Sequence, residues 1–83
     1  MYKIILEKSA EKFFRRLDKK DQERIAKKID DLSSSPKLGK PMTGKLAGLW
    51  SLRIGDYRTI YQIRHDKLII LVLKIGHRKN IYY

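Results

Sequence analysis

The fold is decided by residues 49–75, which read LWSLRIGDYRTIYQIRHDKLIILVLKI. Gly55-Asp56 and His65-Asp66 divide this stretch into three runs that are rich in β-branched and aromatic residues. Two-residue connections of this kind are typical of tight hairpin turns, so the stretch predicts an antiparallel meander. Leu68 to Leu73 are six consecutive apolar residues, which predicts a central strand covered on both faces, with helices on one. The predicted strands are 49–54, 57–64 and 67–75.

Upstream of the meander, the apolar spacing predicts a short first strand over residues 2–7 and then two helices. Helix one is expected from Ala10 to Leu17 with Ser9 as its N-cap, and helix two from Lys19 to Leu32 with Asp18 as its N-cap. Each helix carries one apolar stripe at i, i+3 and i+4 spacing, which is typical of a helix that packs on a core. The stripes are Ala10, Phe13, Phe14 and Leu17 in helix one and Ile25, Ile29 and Leu32 in helix two.

Two segments lie outside these elements. Residues 36–48 contain prolines, glycines and three lysines, and they predict a basic surface connector that is neither a long helix nor a central strand. Residues 76–83 are expected to leave the sheet and to return as a short edge strand. Together the elements predict one α+β domain over residues 1–83, in which an antiparallel β-sheet, made of the C-terminal meander and the N-terminal strand, packs against an N-terminal helical hairpin.

The positive charge is unevenly placed along the chain. The formal net charge is +11 over 83 residues, and residues 36–83 hold ten Lys and Arg against only Asp56 and Asp66. A surface of this kind attracts a polyanion, and nucleic acid is the first candidate. An acidic protein or a membrane surface remains as an alternative, although no basic amphipathic segment with a broad apolar face is present.

Several classes of protein are disfavoured by composition. The chain has no cysteine and only two histidines, so disulfides, thiolate zinc sites and other metal centres are not expected, and no cofactor is predicted. The apolar run at residues 4–6 is shorter than a secretory signal needs, and no stretch is long enough to span a bilayer. The simplest expectation is a cytoplasmic protein with no membrane association.

Strand alternation places Ser51 and Arg53 on the face opposite Trp50, Leu52 and Ile54. Across the Gly55-Asp56 turn, Arg58 is expected to lie near Arg53. Like charges at this distance repel, so the pair predicts an anion such as a phosphate between them. The alternative is that Arg58 pairs with a helix carboxylate, Asp30 or Glu23, and that Arg53 is merely solvated.

At these residues the sequence resembles a known family. The run Gly48-Leu49-Trp50-Ser51-Leu52-Arg53-Ile54-Gly55-Asp56-Tyr57-Arg58-Thr59-Ile60-Tyr61, followed by the apolar strand and by Gly76-His77-Arg78, is similar to the RelE/ParE superfamily of bacterial and archaeal toxins, and most to its RelE branch. The resemblance covers nearly the whole chain. It implies a toxin of a type II toxin–antitoxin system, an endoribonuclease that cleaves mRNA in the ribosomal A site, and a cognate antitoxin partner that holds it inactive.

The resemblance also implies catalytic residues. Arg58, Arg78 and Tyr82 match positions that the family uses in catalysis, and Arg53 stands where its best-known members carry a catalytic lysine. Those members present two lysines on this strand, whereas Ser51 and Arg53 occupy the equivalent face here, which leaves the general base open. His77 is a candidate for part of that role. The expected catalytic set is Arg53, Arg58, His77, Arg78 and Tyr82.

The chemistry that such a set can perform is metal-independent RNA cleavage. The 2′-hydroxyl attacks its own phosphodiester, so the site needs a base, cations for the added negative charge, and an acid for the leaving 5′-oxygen. The arginines supply the cations, and His77 and Tyr82 are the titratable candidates. Residues expected to contact mRNA or ribosomal RNA are Lys37, Lys40, Lys45, Ser51 and Lys79.

Simpler interpretations stand beside these. Tyr82 could seal the core, His77 could be only a turn residue, His65 is expected to be structural or solvated, and Trp50 is expected to be buried more than to stack on a base. Two other functions are also compatible with the sequence. One is a ParE-like toxin that inhibits DNA gyrase without cutting RNA, and the other is a catalytically inactive RNA-binding module.

Overall fold

The structure, a computed structural model, describes residues 1–81. A five-stranded sheet with strand order β1-β5-β4-β3-β2 packs one face against two helices. Single 3₁₀ turns, Pro36–Leu38 and Gly44–Leu46, flank the short β2. The helices and strands are β1 (Lys3–Leu6), α1 (Lys8–Arg15), α2 (Lys19–Ser34), β2 (Lys40–Pro41), β3 (Trp50–Ile54), β4 (Tyr57–Arg64) and β5 (Ile69–His77).

The α+β prediction is confirmed, and β1 adds a detail that the sequence did not give. The predicted meander of β3, β4 and β5 pairs antiparallel, as expected. The short β2, which was not predicted, pairs antiparallel with β3. The N-terminal β1 instead joins β5 in parallel, with Lys3 opposite Ile69 and Leu6 opposite Val72. The helical hairpin between β1 and the meander makes the long crossover that a parallel pair requires.

Both predicted helices are present: α2 begins at Lys19, as predicted, whereas α1 begins at Lys8 and not at Ala10. Asp18 caps α2 as expected, because its carboxylate accepts a hydrogen bond from the Asp21 amide at 2.9 Å. Ser9 is not an N-cap, and that prediction was wrong: α1 begins at Lys8 after Glu7, and the Ser9 hydroxyl donates to the Leu73 carbonyl at 3.0 Å. The apolar stripes do face the core, where Ile25 and Leu32 are fully buried. Neither helix within residues 1–81 is long and apolar enough to cross a membrane.

The strand prediction holds for the β3–β4 hairpin and fails at the next turn. Gly55 and Asp56 form the two-residue turn, with Gly55 at φ +61°. Between β4 and β5, four residues, 65–68, replace the predicted His65-Asp66 turn. Leu68 takes φ 53° there, a left-handed conformation that leucine rarely adopts and that pattern reasoning would not assign to the first residue of an apolar run.

β5 is central, between β1 and β4, as its apolar run predicted. Ile70 and Val72 are fully buried beneath the helices, whereas Ile69 and Leu71 on the other face are only partly buried. The expectation of cover on both faces was therefore only half right. β5 also continues through His77, and residues 78–80 form a turn, so no edge strand follows within the described residues.

Candidate active site

The sheet face away from the helices carries a pair of arginines in direct register. Arg53 of β3 lies opposite Arg58 of β4, at the hairpin end of the antiparallel ladder. Leu52 and Ile54 alternate to the opposite face and are buried under the helices. The predicted alternation and the predicted proximity of the two arginines are thus confirmed. We call the surface formed by Ser51, Arg53 and Arg58 the arginine face.

A cavity of about 620 Å³ lies over the arginine face. Ser51, Arg53 and Arg58 line it from the sheet, and the segment 38–43 lines it from the connector. Lys40 belongs to this segment and pairs with Ser51 in the short β2–β3 ladder. The cavity therefore gathers three cationic side chains, and the connector supplies one of its walls.

The arginine face carries positive charge that is not neutralised by ion pairs within residues 1–81. Neither Arg53 nor Arg58 forms an ion pair within residues 1–81, so the alternative pairing of Arg58 with Asp30 or Glu23 is not observed there. Arg53 Nε donates to the Gly55 carbonyl at 3.3 Å. The Nε of Arg58 is buried and has no hydrogen-bond acceptor among the described residues. A buried charged donor without an acceptor is rare and costly, and an anionic ligand would satisfy it.

The connector wall is held in place by a buried tyrosine. Tyr61 is 0% exposed, and its hydroxyl donates to the Pro36 carbonyl at 2.7 Å and accepts from the Gly39 amide at 3.1 Å. Burial raises the pKa of Tyr61, partly offset by the Gly39 amide, so the phenol stays neutral at ordinary pH. The contact is close: a Cβ on Gly39 would lie 2.5 Å from the Ser51 carbonyl oxygen. Glycine at this position lets the connector lie directly on the sheet.

His77 does not reach the arginine face. It pairs with Tyr57 across the β4–β5 ladder, and its ring packs against Tyr57 and Phe13 at centroid distances of 5.1 and 5.8 Å. Tyr57 in turn donates a 2.8 Å hydrogen bond to Asp21, and this bond is the main cause of its raised pKa. The geometry thus places His77 on the helix side of the sheet, away from Arg53 and Arg58.

Arg78 lies at the end of β5, beside the β3–β4 turn. Its backbone amide donates to the Asp56 carbonyl at 2.8 Å, and its side chain is half-buried. It lines a cavity with Asp56, His77 and Lys79 that is distinct from the one over the arginine face. Arg78 was predicted to converge with Arg53 and Arg58, but it does not line the same cavity. Arg78 forms no ion pair within the described part of the chain.

The chain turns back after Arg78. The Asn80 amide donates to the His77 carbonyl at 2.9 Å, and the side chain of Ile81 lies over Gly76, 3.5 Å from where a Cβ would stand. Gly76 is the register partner of Arg58, so the described chain ends beside the arginine face. The candidate Tyr82 lies outside the described residues.

The predicted RNA-binding residues are dispersed. Lys40 and Ser51 line the cavity over the arginine face, and Lys79 lines the cavity at Arg78. Lys37 instead borders a small apolar hollow with Tyr2 and His65, and Lys45 is exposed in the second 3₁₀ turn. The His65 ring nitrogen shares a 2.8 Å hydrogen bond with the Tyr2 hydroxyl, which agrees with its predicted structural role.

The sequence-based prediction missed the cavity wall formed by segment 38–43. The two-residue strand in this segment is too short to show a period-2 pattern. The signal that the sequence did offer was Gly39 and Pro41 placed between lysines.

Across residues 1–81 there is no cluster of three or more His, Asp or Glu side chains able to hold a metal ion. The arrangement offers cationic stabilisation of a phosphate.

The fold and the site together define a small, strongly basic α+β domain with paired arginines on an open sheet face. The family to which the chain belongs is the ParE toxin family of type II toxin–antitoxin systems (parDE), within the RelE/ParE superfamily, and the family model matches residues 4–82. The resemblance seen in the sequence motifs is thereby confirmed.

Among curated relatives, the chain is 42% identical to toxin RelG of Mycobacterium tuberculosis over 53 residues, which cover 63% of this chain and 61% of RelG. It is 30% identical over 84 residues to a putative RelE-like toxin protein of Escherichia coli, covering 95% of this chain and 85% of the relative. It is also 28% identical to the mRNA interferase toxin RelE of Escherichia coli K12, with the same coverage of 95% and 85%.

Solved structures show the same fold. The toxin–antitoxin complex RelBE2 of Mycobacterium tuberculosis contains a chain that matches with a TM-score of 0.85 and 29% identity, covering 93% of this chain and 98% of that one. The archaeal RelE–RelB complex of Pyrococcus horikoshii matches with a TM-score of 0.77 and 28% identity, covering 96% and 98%.

Proposed function

We propose that the protein is a metal-independent endoribonuclease that cleaves mRNA in the ribosomal A site, as the toxin of a type II toxin–antitoxin system. The observation that carries the proposal is the direct register of Arg53 and Arg58, with the Nε of Arg58 buried and without an acceptor within residues 1–81. Two guanidinium groups in that arrangement suit a phosphodiester, whose two non-bridging oxygens accept such donors. The relative named mRNA interferase toxin RelE supports RNA as the substrate.

We propose the following reaction at this site. The 2′-oxygen of the nucleotide before the cut attacks the adjacent phosphorus, and its proton passes to a base. The bond from phosphorus to the 5′-oxygen then breaks, and that oxygen takes a proton from an acid. The products are a 2′,3′-cyclic phosphate and a 5′-hydroxyl. Arg58 and Arg53 stabilise the extra negative charge on the non-bridging oxygens as the pentacoordinate state forms, and Lys40 adds a third cation from the wall.

Proton transfer is assigned to the C-terminal end. Arg78 and Tyr82 are proposed to act at the leaving oxygen, as the family resemblance implies. A tyrosine among cations loses its proton more easily than a free phenol, which suits it to acid–base work. His77 is less favoured because its ring packs against Phe13 and Tyr57 on the other face.

The test is to translate an mRNA in the presence of the protein and to map new 5′ ends. Cuts at codons held in the A site are expected with the wild type, and Arg58→Gln and Arg78→Ala should each reduce them by about a hundredfold or more. No cut on ribosome-bound mRNA with well-folded wild-type protein would overturn the proposal. Free mRNA assayed in parallel shows whether the ribosome is required.

A second candidate function has a specific observation behind it. The matching family model describes the ParE toxin, so inhibition of DNA gyrase by direct binding is the alternative. A supercoiling assay with purified gyrase decides between the two. Inhibition by both the wild type and Arg58→Gln would favour the gyrase function, whereas unaffected supercoiling eliminates it. RNA binding without any cleavage would instead indicate an inactive RNA-binding module.

The proposed partner is a cognate antitoxin with an acidic segment that folds as it covers the basic surface. Structural neighbours with the same fold are the RelBE2 and archaeal RelE–RelB complexes. A chain with a net charge of +11 gains from such a partner because neutralisation relieves its self-repulsion. Tagged protein isolated from its native host should therefore carry a small acidic protein, and its consistent absence would count against the partner.

A further inference from the structure

A second cationic groove lies between α2 and the β3–β4 turn, outside the cavity described above. Its charged lining residues are Arg24, Lys27, Lys28, Asp31 and Arg53, and it also borders Gly55. We call it the α2 groove. Its volume, about 650 Å³, is similar to that of the cavity over the arginine face.

Helical spacing explains why these side chains meet. Arg24, Lys27 and Lys28 stand at i, i+3 and i+4 and project from one side of α2, while Ile25 and Ile29 are buried on the other. Arg24 and Lys28 are like charges at i and i+4, a spacing that destabilises a helix. Each of the three basic side chains is exposed.

The Gly55 turn brings α2 and the hairpin together. Arg24 Nη1 lies 2.9 Å from the position that a Cβ on Gly55 would occupy. The guanidinium therefore rests against the turn itself. Gly55 has φ +61°, a left-handed backbone conformation that favours glycine.

The groove is short of negative charge. The ion pair found within residues 1–81 joins Arg15 to Glu11, so the groove cations have no carboxylate within 4.0 Å in that range. Among the residues that the structure describes, Asp31 is the single acid in the lining. Isolated exposed lysines need no explanation, but four cations around one concavity create a local positive potential that concentrates a polyanion.

Arg53 lines both the α2 groove and the cavity over the arginine face. We infer that the α2 groove is a second binding site for RNA phosphodiester backbone, continuous with the arginine face through Arg53, and that it holds RNA away from the scissile linkage. The identification of the polyanion as RNA rests on the proposed function. Contacts of flexible lysines with phosphates carry no sequence information, so Lys27 and Lys28 contribute affinity and register and take no part in the chemical step.

The test measures binding separately from cleavage. The variant Lys27→Ala/Lys28→Ala is compared with Lys12→Ala/Lys19→Ala, which removes the same charge from exposed positions that line neither cavity. The probes are 2′-O-methyl oligouridylates, a trimer and a dodecamer, which cannot undergo 2′-hydroxyl attack, and an RNA hairpin. Thermal unfolding verifies that both variants are folded.

The dodecamer should bind the groove variant roughly tenfold more weakly at low salt. The slope of log affinity against log salt should fall by about 1.4, since each lost phosphate contact on a single strand removes about 0.7. The trimer, which is short enough for the arginine face alone, should bind both variants equally. A loss confined to the hairpin would identify folded RNA, instead of the continuing single strand, as the source of the phosphates.

Equal losses in the groove and control variants would overturn the inference, because general charge would then explain the binding. Unchanged RNA affinity together with weakened binding of poly-glutamate would assign the groove to an acidic protein, which also overturns it. The proposed function can fail independently of this inference. If the wild type cuts no mRNA but Lys27→Ala/Lys28→Ala still weakens dodecamer binding, the α2 groove is retained as an RNA-binding site and the ribonuclease function is rejected.

Discussion

Arg58 stands directly across the β3–β4 ladder from Arg53, and its buried Nε has no acceptor among the described residues. Two like charges opposite each other on one sheet face destabilise the folded chain, so the pair is not there for stability. The same placement suits a phosphate that accepts hydrogen bonds from both guanidinium groups. The arginine face is thus organised for a ligand at the expense of the fold.

The first prediction separates these two effects. Arg58→Gln should reduce mRNA cleavage by about a hundredfold or more, because one charge-stabilising donor is lost. The free energy of unfolding should stay the same or rise by up to about 1 kcal/mol, because the repulsion is removed. Arg64→Gln, at the exposed far end of β4, is the matched control and should leave both quantities unchanged. Cleavage and stability falling together in Arg58→Gln would indicate a structural arginine instead.

The second prediction concerns the tyrosine that holds the connector wall. Tyr61→Phe removes the hydrogen bonds to the Pro36 carbonyl and the Gly39 amide and should lower the free energy of unfolding by about 1–3 kcal/mol. Chemical denaturation measures it. Tyr2→Phe, which breaks an exposed bond to His65, is the control and should change stability much less. If the two variants are equally stable, the Tyr61 hydroxyl does not anchor the connector.

The third prediction compares two glycines that border the arginine face. Gly39→Ala places a Cβ 2.5 Å from the Ser51 carbonyl oxygen, so the connector must shift, at a cost of about 1–3 kcal/mol. Gly76→Ala brings its Cβ only to ordinary contact with Ile81, at 3.5 Å, and should be tolerated. Thermal unfolding of both variants provides the comparison. A well-tolerated Gly39→Ala would show that the connector lies further from the sheet.

The residues that sequence predicted well are those whose position follows from a short-range pattern. Period-2 alternation and a glycine-containing turn were enough to place Arg53 beside Arg58. His77 was expected in the catalytic set, but its ring lies on the helix side of the sheet. The family resemblance gives only its position in the chain. The face to which the ring points depends on how far β5 continues before the chain turns. β5 extends through His77, and register with Tyr57 sends the ring toward Phe13.

Long-range packing accounts for what the sequence could not give. The cavity wall depends on the hydroxyl of Tyr61 reaching the connector, a contact between residues distant in the chain that no local pattern encodes. Likewise, the parallel pairing of β1 with β5 follows from the crossover through the helices. The four-residue turn at 65–68 depends on the left-handed conformation of Leu68. Leu68 is also the first residue of a six-residue apolar run, so the sequence pattern assigns it to the strand and not to the turn.

The fourth prediction is a loss of stability at alkaline pH. Tyr57 has a raised pKa, mainly through its hydrogen bond to Asp21, and Tyr61 has one through burial. Each neutral phenol is favoured in the folded state, so its contribution is complete below the ordinary pKa of 10.0 and is lost as pH rises through the higher folded value. Thermal unfolding as a function of pH should show this decline, and it should be shallower in Tyr61→Phe. An unchanged slope in Tyr61→Phe would contradict the assignment.

The fifth prediction decides the role of His77. Because its ring packs on Tyr57 and Phe13 at 5.1 and 5.8 Å, His77→Ala should lower the free energy of unfolding by about 0.5–1.5 kcal/mol. Cleavage by the folded variant, measured over a range of pH, should keep the shape of the wild-type profile, because a group on the helix side of the sheet cannot take the proton of a 2′-hydroxyl bound at Arg58. A general base would behave differently: its removal would abolish one limb of the pH profile and leave stability intact. That result would require the ring of His77 to leave its contacts with Tyr57 and Phe13 when RNA binds.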